Sequence, residues 1–509
     1  MVNVIGNAMY SRNTGVLVLS LKAAASIVKC PLKNVEKALP VLLRQMLDVI
    51  KQTGSTESEI TQTGVKTIAM VIRDNSTAQV KEKDLTYLLE LVGPDLEEHE
   101  RQATVFGLLR AIVSRKFIVP EIYDMMDRVA RVMVTNQSPE VQELCRGVLL
   151  QFLLEYPQGK GRLQKQMNFL AKNLSYVYES GRKSAMELLR AILTKFDPAL
   201  LDEYANLFFV ALVMVMANDE STTCREMAAE LIKTLFKVLE GPKREEVVRL
   251  LQTWASQESN PQLVRVSVQL LGVVVDTLQD DAVSFVPLIL VILGSIIVNQ
   301  AQQLEQAQQL DTVSELEWQL PYQAISALAK LIRIFPARLL ASDIPWPGVI
   351  SLLLFPHAWV RTATARLIGT LFASQAPTKP STRLAHDHPL SRESMTEIGR
   401  KSCLQLVGDT LDSQLGIQIT KNLVYLGKCF YAAASTIDDA NEAESGRTDS
   451  DSESEAEDEE QNVETVKSAP AATGQLNWLF SRLSHQGRAA LIARRNRTSR
   501  AVRLWYNLP

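Results

Sequence analysis

Little of this sequence is aromatic, and nothing in it alternates. Phe, Trp and Tyr make up 6% of the 509 residues. No stretch shows the sustained period-two pattern, bounded by turn residues, that marks a half-buried strand, so strands are not needed anywhere in the plan. Cysteine is scarce as well. Cys30, Cys145, Cys224, Cys403 and Cys429 are scattered, and none lies two residues from another. That spacing argues against a disulfide framework and against a zinc knuckle, and it points to a reducing compartment. The first fifteen residues lack an apolar core after a basic start, so no signal peptide is expected. The most apolar run, residues 283–298, contains Pro287. It is short for a membrane span and is expected to be a helix buried on all sides, with no membrane partner.

Reactive chemistry is missing in the same way. No serine sits in a Gly-x-Ser-x-Gly elbow. The stretch GKGRLQK at 159–165 lacks the phosphate-loop spacing and follows a helix, not a strand. No carboxylate pair stands out in an apolar setting. His386 and His388, flanking Asp387 in a loop with three prolines (375–390), could hold zinc only with outside ligands and are expected on a surface loop. His99 and His357 fall near helix starts and need no special role. Catalysis is therefore not expected, nor a cofactor, a metal or a small-molecule substrate.

What the chain does have is helical periodicity. Apolar residues make up 46%, ample for a core, and the length suggests about three globular units or one long array. Residues 145–196, CRGVLLQFLLEYPQGKGRLQKQMNFLAKNLSYVYESGRKSAMELLRAILTKF, read as three successive helices broken at 156–161 and at 179–182. Leu149, Leu150, Leu153 and Leu154 stripe the first, Leu163, Met167, Leu170 and Leu174 the second, and Met186, Leu188, Leu189, Ile192 and Leu193 the third. Stripes that wide cannot stand alone in water, so each helix must lie against its neighbours in sequence.

Similar punctuation recurs about every twenty residues and predicts about nine helical pairs. Helices are expected near 14–29, 33–53, 56–74, 82–92, 95–115, 120–136, 139–155, 160–179, 183–196 and 199–217. They continue near 221–240, 243–257, 261–279, 282–309, 313–335, 347–354, 357–374, 391–410 and 412–435. Ser138-Pro139 places a capping serine before a proline at the first helical position, where a missing N–H costs nothing. Asn260-Pro261 and Gly241-Pro242 repeat the device, and Asp197-Pro198 ends one helix and opens another. The fold class is all-α, a HEAT/armadillo-like α-solenoid. Tyr176, Tyr178, Phe208, Phe209 and Trp254 are expected in its core rather than as base-stacking platforms.

The stretch PHAWVRTATARLIG at 356–369 is the most typical repeat element. Thr362, Ala363, Ala365 and Gly369 supply small side chains for close helix approach, and Trp359 is expected to cover the seam between repeats. Gly369 should lie against a neighbouring helix, whereas Gly181 is expected in an open turn.

Several of these stretches, in order, resemble one known family. They are LLQFLLEYPQGKGRLQKQMNFLAKNLSYVYESGRKSAMELL, then LFFVALVMVMANDESTTC at 207–224, then PHAWVR at 356–361 with 367–374. The chain is similar here to the C-terminal region of small-subunit processome component 20, the down-regulated-in-metastasis family of very large HEAT-repeat proteins. The likeness covers roughly residues 35–436, and weakly 476–484. It implies a piece of a longer protein and a non-catalytic nucleolar scaffold in the nucleus. Its implied partners are pre-ribosomal RNA and processome proteins, including the small nucleolar ribonucleoprotein, in small-subunit rRNA processing. An importin-class transport receptor or a phosphatase-type regulatory scaffold would share the architecture.

The net charge of -3 hides an asymmetry. Residues 438–464 carry thirteen acids and one arginine, whereas 465–509 carry seven arginines, one lysine and no acid. The remaining chain is nearly neutral, so three parts are expected: helical repeats over 1–436, an acidic Ser-rich disordered linker over 437–475, and a short helical Arg-rich segment over 476–509. Ser450, Ser452 and Ser454, like Thr448, have an acid three residues on, a pattern suited to acid-directed phosphorylation. Candidate RNA contacts are Lys160, Arg162 and Lys165 at a helix-to-helix turn and Arg494, Arg495 and Arg497 in the tail.

Overall fold

The computed structural model describes residues 2–30, 35–336, 344–375, 390–407 and 411–445, and no strand occurs among them. The chain divides into two compact units, Met1–Arg244 and Glu245–Pro509. Unit 1 holds α1 (Val2–Ala8), α2 (Thr14–Lys29), α3 (Val35–Thr53), α4 (Glu59–Asp74), α5 (Glu82–Val92) and α6 (Gln102–Ser114). It continues with α7 (Glu121–Thr135), α8 (Pro139–Glu155), α9 (Lys160–Asn173), α10 (Glu179–Lys195), α11 (Pro198–Asn218) and α12 (Thr222–Val238). Helix α13 (Gly241–Ala255) spans the division. Unit 2 holds α14 (Pro261–Leu278), α15 (Val286–Leu310), α16 (Gln319–Ile334), α17 (Trp346–Ser351), α18 (Ala358–Gln375), α19 (Arg392–Val407) and α20 (Ser413–Ser445).

Packing follows sequence order. In unit 1 α2 lies on α4, α4 on α6, α6 on α8, α8 on α10 and α10 on α12, forming one row. A second row contains α1 on α3, α5 on α7 and α9 on α11, and pairs such as α7 with α8 and α11 with α12 tie the rows together. Unit 2 repeats the scheme, with α14, α16, α18 and α20 in one row and α15, α17 and α19 in the other. Contacts that reach only the neighbouring repeat define an α-solenoid, so each unit has the expected HEAT-like architecture. Phe106, Phe152, Phe208, Phe209 and Phe236 are fully buried in unit 1, each stabilising by about 1.5–3 kcal/mol.

The capping residues act as the sequence indicates. Ser138 accepts from Val141 N–H, Asp197 from Ala199 N–H, Ser221 from Cys224 N–H and Asn260 from Leu263 N–H, with Pro139, Pro198 and Pro261 just inside their helices. A second device repeats with more regularity. The fourth residue of α4, Gln62, donates back to Thr56 O at 2.8 Å. Gln102, which opens α6, reaches Leu96 O at 3.0 Å, and Gln142 in α8 reaches Asn136 O at 2.8 Å. Arg182 in α10 donates to Tyr176 O at 2.9 Å, Arg225 in α12 to Asp219 O at 2.6 Å and Arg361 in α18 to Phe355 O at 2.9 Å. In each case the acceptor is six residues earlier. A carbonyl in a tight turn needs a partner, and side chains in a first helical turn lean back toward the N-terminus, so a long donor there closes the turn. Positions 62, 102, 142 and 182 recur every 40 residues and set the length of a repeat.

Some expectations need correction. Helix α9 stops at Asn173 and α10 begins at Glu179, so the break falls at 174–178 rather than at 179–182. Gly181 lies inside α10, buried, and not in an open turn. A Cβ there would collide with the Val134 carbonyl oxygen and stand 2.6 Å from Tyr176 Cδ1. Helix α6 is shorter than 95–115 because 3-10 turn Gly93–Glu97 and a further turn at 99–101 precede it, and 3-10 segments Gln279–Phe285 and Val313–Glu315 likewise shorten α15 and α16. The 347–354 helix ends at Ser351 and continues as 3-10 turn Leu352–Leu354. Helix α1 was not anticipated, being too short for a periodic signal. The apolar run 283–298 is not buried on all sides, since Val291 is 72% and Val298 39% exposed. By length and composition, α11 and the Pro261–Leu310 stretch could each cross a membrane, with 50% and 44% of their most apolar windows buried in the fold. Helix α20 runs to Ser445, past residue 437 where the linker was expected to begin. Residues 446–509, like the 376–389 part of the Pro-rich loop with His386 and His388, lie outside the described residues.

Candidate functional site

The turn between α8 and α9 is built on three rings. Tyr156, at the end of α8, is buried and donates from its hydroxyl to Phe117 O at 2.8 Å while accepting from Val119 N–H at 3.1 Å. Burial pushes its phenol pKa up, against the pull of the Val119 bond. Its ring stacks on Phe152 at 5.2 Å, and Tyr123 from α7 meets both edge-on. Tyr123 then donates to Pro157 O at 3.0 Å, pinning the turn.

This platform sets two of the candidate cations differently. The Arg162 guanidinium lies 3.5 Å from the Tyr123 ring centroid, a cation–π contact that leaves its N–H edges available. Among the described residues no carboxylate pairs with it. Lys165 instead meets Asp127 at 2.5 Å, and Gln166 donates to the other oxygen of that carboxylate at 2.6 Å. Lys165 is thus locally neutralised and Arg162 is not. The side chain of Lys160 lies outside what is described, as do Arg494, Arg495, Arg497, Ser450, Ser452 and Ser454.

Other features differ in kind. A cleft of about 550 Å³ across α6, α8 and α10 mixes Arg110 and Arg146 with Glu140, Glu143 and Glu187, so it has no bias for one sign of charge. Phe208 and Phe209 are core, whereas Tyr178 is 58% exposed and stands edge-on to Tyr176 at 5.9 Å. In unit 2 the His357 ring stacks on Trp318 at 4.3 Å, and Trp359, 57% exposed, meets Trp318 at 4.8 Å and Tyr322 at 6.1 Å. Sequence reading missed this cluster because its two halves, Trp318 with Tyr322 and His357 with Trp359, lie 35 or more positions apart; only Trp359 was given a role. Cys145, Cys224, Cys403 and Cys429 are buried free thiols and Cys30 is exposed. Among the described residues no three His, Cys, Asp or Glu side chains converge as metal ligands.

No protein-family model matches the chain. The chain is similar to U3 small nucleolar RNA-associated protein 20 of Schizosaccharomyces pombe, 34% identical over 442 residues, which are 86% of this chain and 17% of that protein. It is similar to the Saccharomyces cerevisiae protein of the same name, 34% identical over 372 residues, 72% of this chain and 14% of the other. The chain therefore spans about a sixth of the length of these curated relatives. Among solved structures it aligns with Kap121p bound to RanGTP, with a TM-score of 0.44 and 12% identity, covering 99% of this chain and 52% of that one. It also aligns with a chain of the Pds5-Scc1 complex, with a TM-score of 0.38 and 12% identity, covering 94% and 73%. Likenesses this weak add nothing to the fold already argued from packing. Identity of 34% sustained over 442 residues is a different matter, and over those residues the chain is a homologue of U3 small nucleolar RNA-associated protein 20.

Proposed function

We propose that this chain is a non-catalytic scaffold segment of the nucleolar small-subunit processome, supporting pre-ribosomal RNA processing and small-subunit assembly. The observation that carries the reading is the 34% identity over 442 residues to proteins named for association with U3 small nucleolar RNA. Rows of packed helices suit the role, because a repeat array presents an extended surface that holds several partners in a fixed relation. RNA contact is assigned to Arg162, whose guanidinium is held over the Tyr123 ring with no carboxylate partner among the described residues, and to Arg494, Arg495 and Arg497 in the tail, with Lys160 and Lys165 in support. Ser450, Ser452 and Ser454 are proposed phosphorylation sites. The location that follows is the nucleolus. Affinity purification through this chain, with and without RNase, tests the reading. Recovery of U3 RNA and pre-ribosomal particles, with sedimentation lost on RNase treatment, is expected. Purification without U3 RNA or pre-ribosomal RNA would sink it.

A further inference from the structure

Helix α15 carries an apolar stripe that unit 2 leaves open. Pro287, Leu290, Val291, Gly294 and Val298 follow one another at helical spacing along the same face, and Val291 is 72% exposed. With Ile344 and Pro345 ahead of α17 they wall a groove of about 900 Å³, edged by Ser295, Asn299 and Gln302, that no charged side chain among the described residues lines. Contiguous exposed apolar surface of this kind marks an interaction site. Without charge it offers nothing to a phosphate backbone. It fits the apolar ridge of a helix.

The chain contains such a ridge outside the described residues. In LNWLFSRLS, residues 476–484, Leu476, Leu479, Phe480 and Leu483 fall at i, i+3, i+4 and i+7, which is one face of a helix. We propose that segment 476–484 docks as an amphipathic helix into the α15 groove of its own chain. The tether is long enough. Helix α15 packs on α17, α17 on α19 and α19 on α20, three steps of about 10 Å each; α20 itself adds up to about 50 Å over its 33 residues, and a linker the length of 446–475 reaches up to about 100 Å when extended. Its acids repel one another and lengthen it, and the uncharged groove does not oppose them. Docking there also leaves the arginines beyond residue 487 in solvent.

Trypsin cleavage of the full chain, followed by mass spectrometry, tests the docking. Arg482 lies within the docked segment, while Arg488 and Arg494 lie beyond it and act as internal references. Cleavage at Arg482 should be at least about tenfold slower than at Arg494, a fold-change set by the equilibrium between closed and open forms. Val291→Glu, at an exposed position that leaves the fold intact, should abolish that protection, and Leu479→Glu should do the same from the other side. Equal cleavage at Arg482 and Arg494 in the unaltered chain overturns the proposal, as does protection that survives both substitutions. Protection that falls on dilution identifies a second copy as the occupant and overturns the intramolecular reading.

Discussion

At Gly181 a missing side chain is what lets the start of α10 press against the end of α7. A Cβ there would strike the Val134 carbonyl, which belongs to backbone and cannot swing aside. Gly369 is tight for another reason, since its Cβ would meet the side chains of Gln418 and Asn422 on α20. Leucine at either position should therefore lower the melting temperature, by roughly 1–3 kcal/mol of overpacking and more at Gly181. Gly161→Leu, facing open space, serves as the control, and a Gly181→Leu melt matching it would refute the packing read there. The cysteines divide just as sharply. Burial pushes the Cys145 thiol up to about 12 and Cys403 to about 11, so both stay protonated at neutral pH, and only the thiolate is the nucleophile. Iodoacetamide at pH 8 should label Cys30 quickly and leave Cys145 and Cys403 untouched until the chain is unfolded. Peptide mapping would read this out.

Long side-chain donors close the turns that lead into α4, α6, α8, α10, α12 and α18. Arg182 does more than Gln142, because besides Tyr176 O it binds Asp219 Oδ1 at 2.9 Å, and Asp219 in turn accepts from Ser221 N–H at 2.8 Å at the next repeat. Burial is the largest single influence on the Arg182 guanidinium and lowers its pKa, but Asp219 and Cys224 together outweigh it and the net shift is upward. Arg182→Ala would leave the Asp219 carboxylate, 5% exposed, without its cation, at a cost of about 3–5 kcal/mol. Gln142→Ala should cost only about 1 kcal/mol, one neutral hydrogen bond. Urea titration of the two variants separates them, and equal midpoints would remove the Arg182–Asp219 pair from its place in the stack. The periodicity of these donors was present in the sequence as Gln62, Gln102, Gln142 and Arg182. It passed unnoticed because Gln and Arg differ in charge, and only the shared acceptor geometry shows them to be equivalent.

For the whole molecule, charge gives the sharpest test of RNA contact. Each phosphate neutralised on single-stranded RNA contributes about -0.7 to the slope of log affinity against log salt. Arg162→Ala should remove about that much, and Lys165→Ala less, because Asp127 already neutralises it. Deleting 446–464, the acidic stretch beyond the end of α20, should tighten RNA binding at low salt by freeing the arginines beyond Arg482, and aspartates at Ser450, Ser452 and Ser454 should weaken it slightly. Filter binding at two salt concentrations decides, and unchanged slopes would remove both Arg162 and the tail from the interface. The all-α class, the solenoid order and most helix limits were legible in the sequence, because amphipathic period, capping side chains and proline positions act within a few residues. The family likeness was legible for the same local reason, being carried by ordered short matches. Other features were settled only by packing between residues 35 or more positions apart. Tertiary contact put Gly181 against a carbonyl of α7, set Arg162 on Tyr123 while giving Lys165 an acid, and gathered Trp318, Tyr322, His357 and Trp359. It also left one face of α15 open, although its apolar run read as buried. Local sequence fixes which residues can form a helix and where it stops, but a helix's exposure depends on its neighbours, and those are set by the stack.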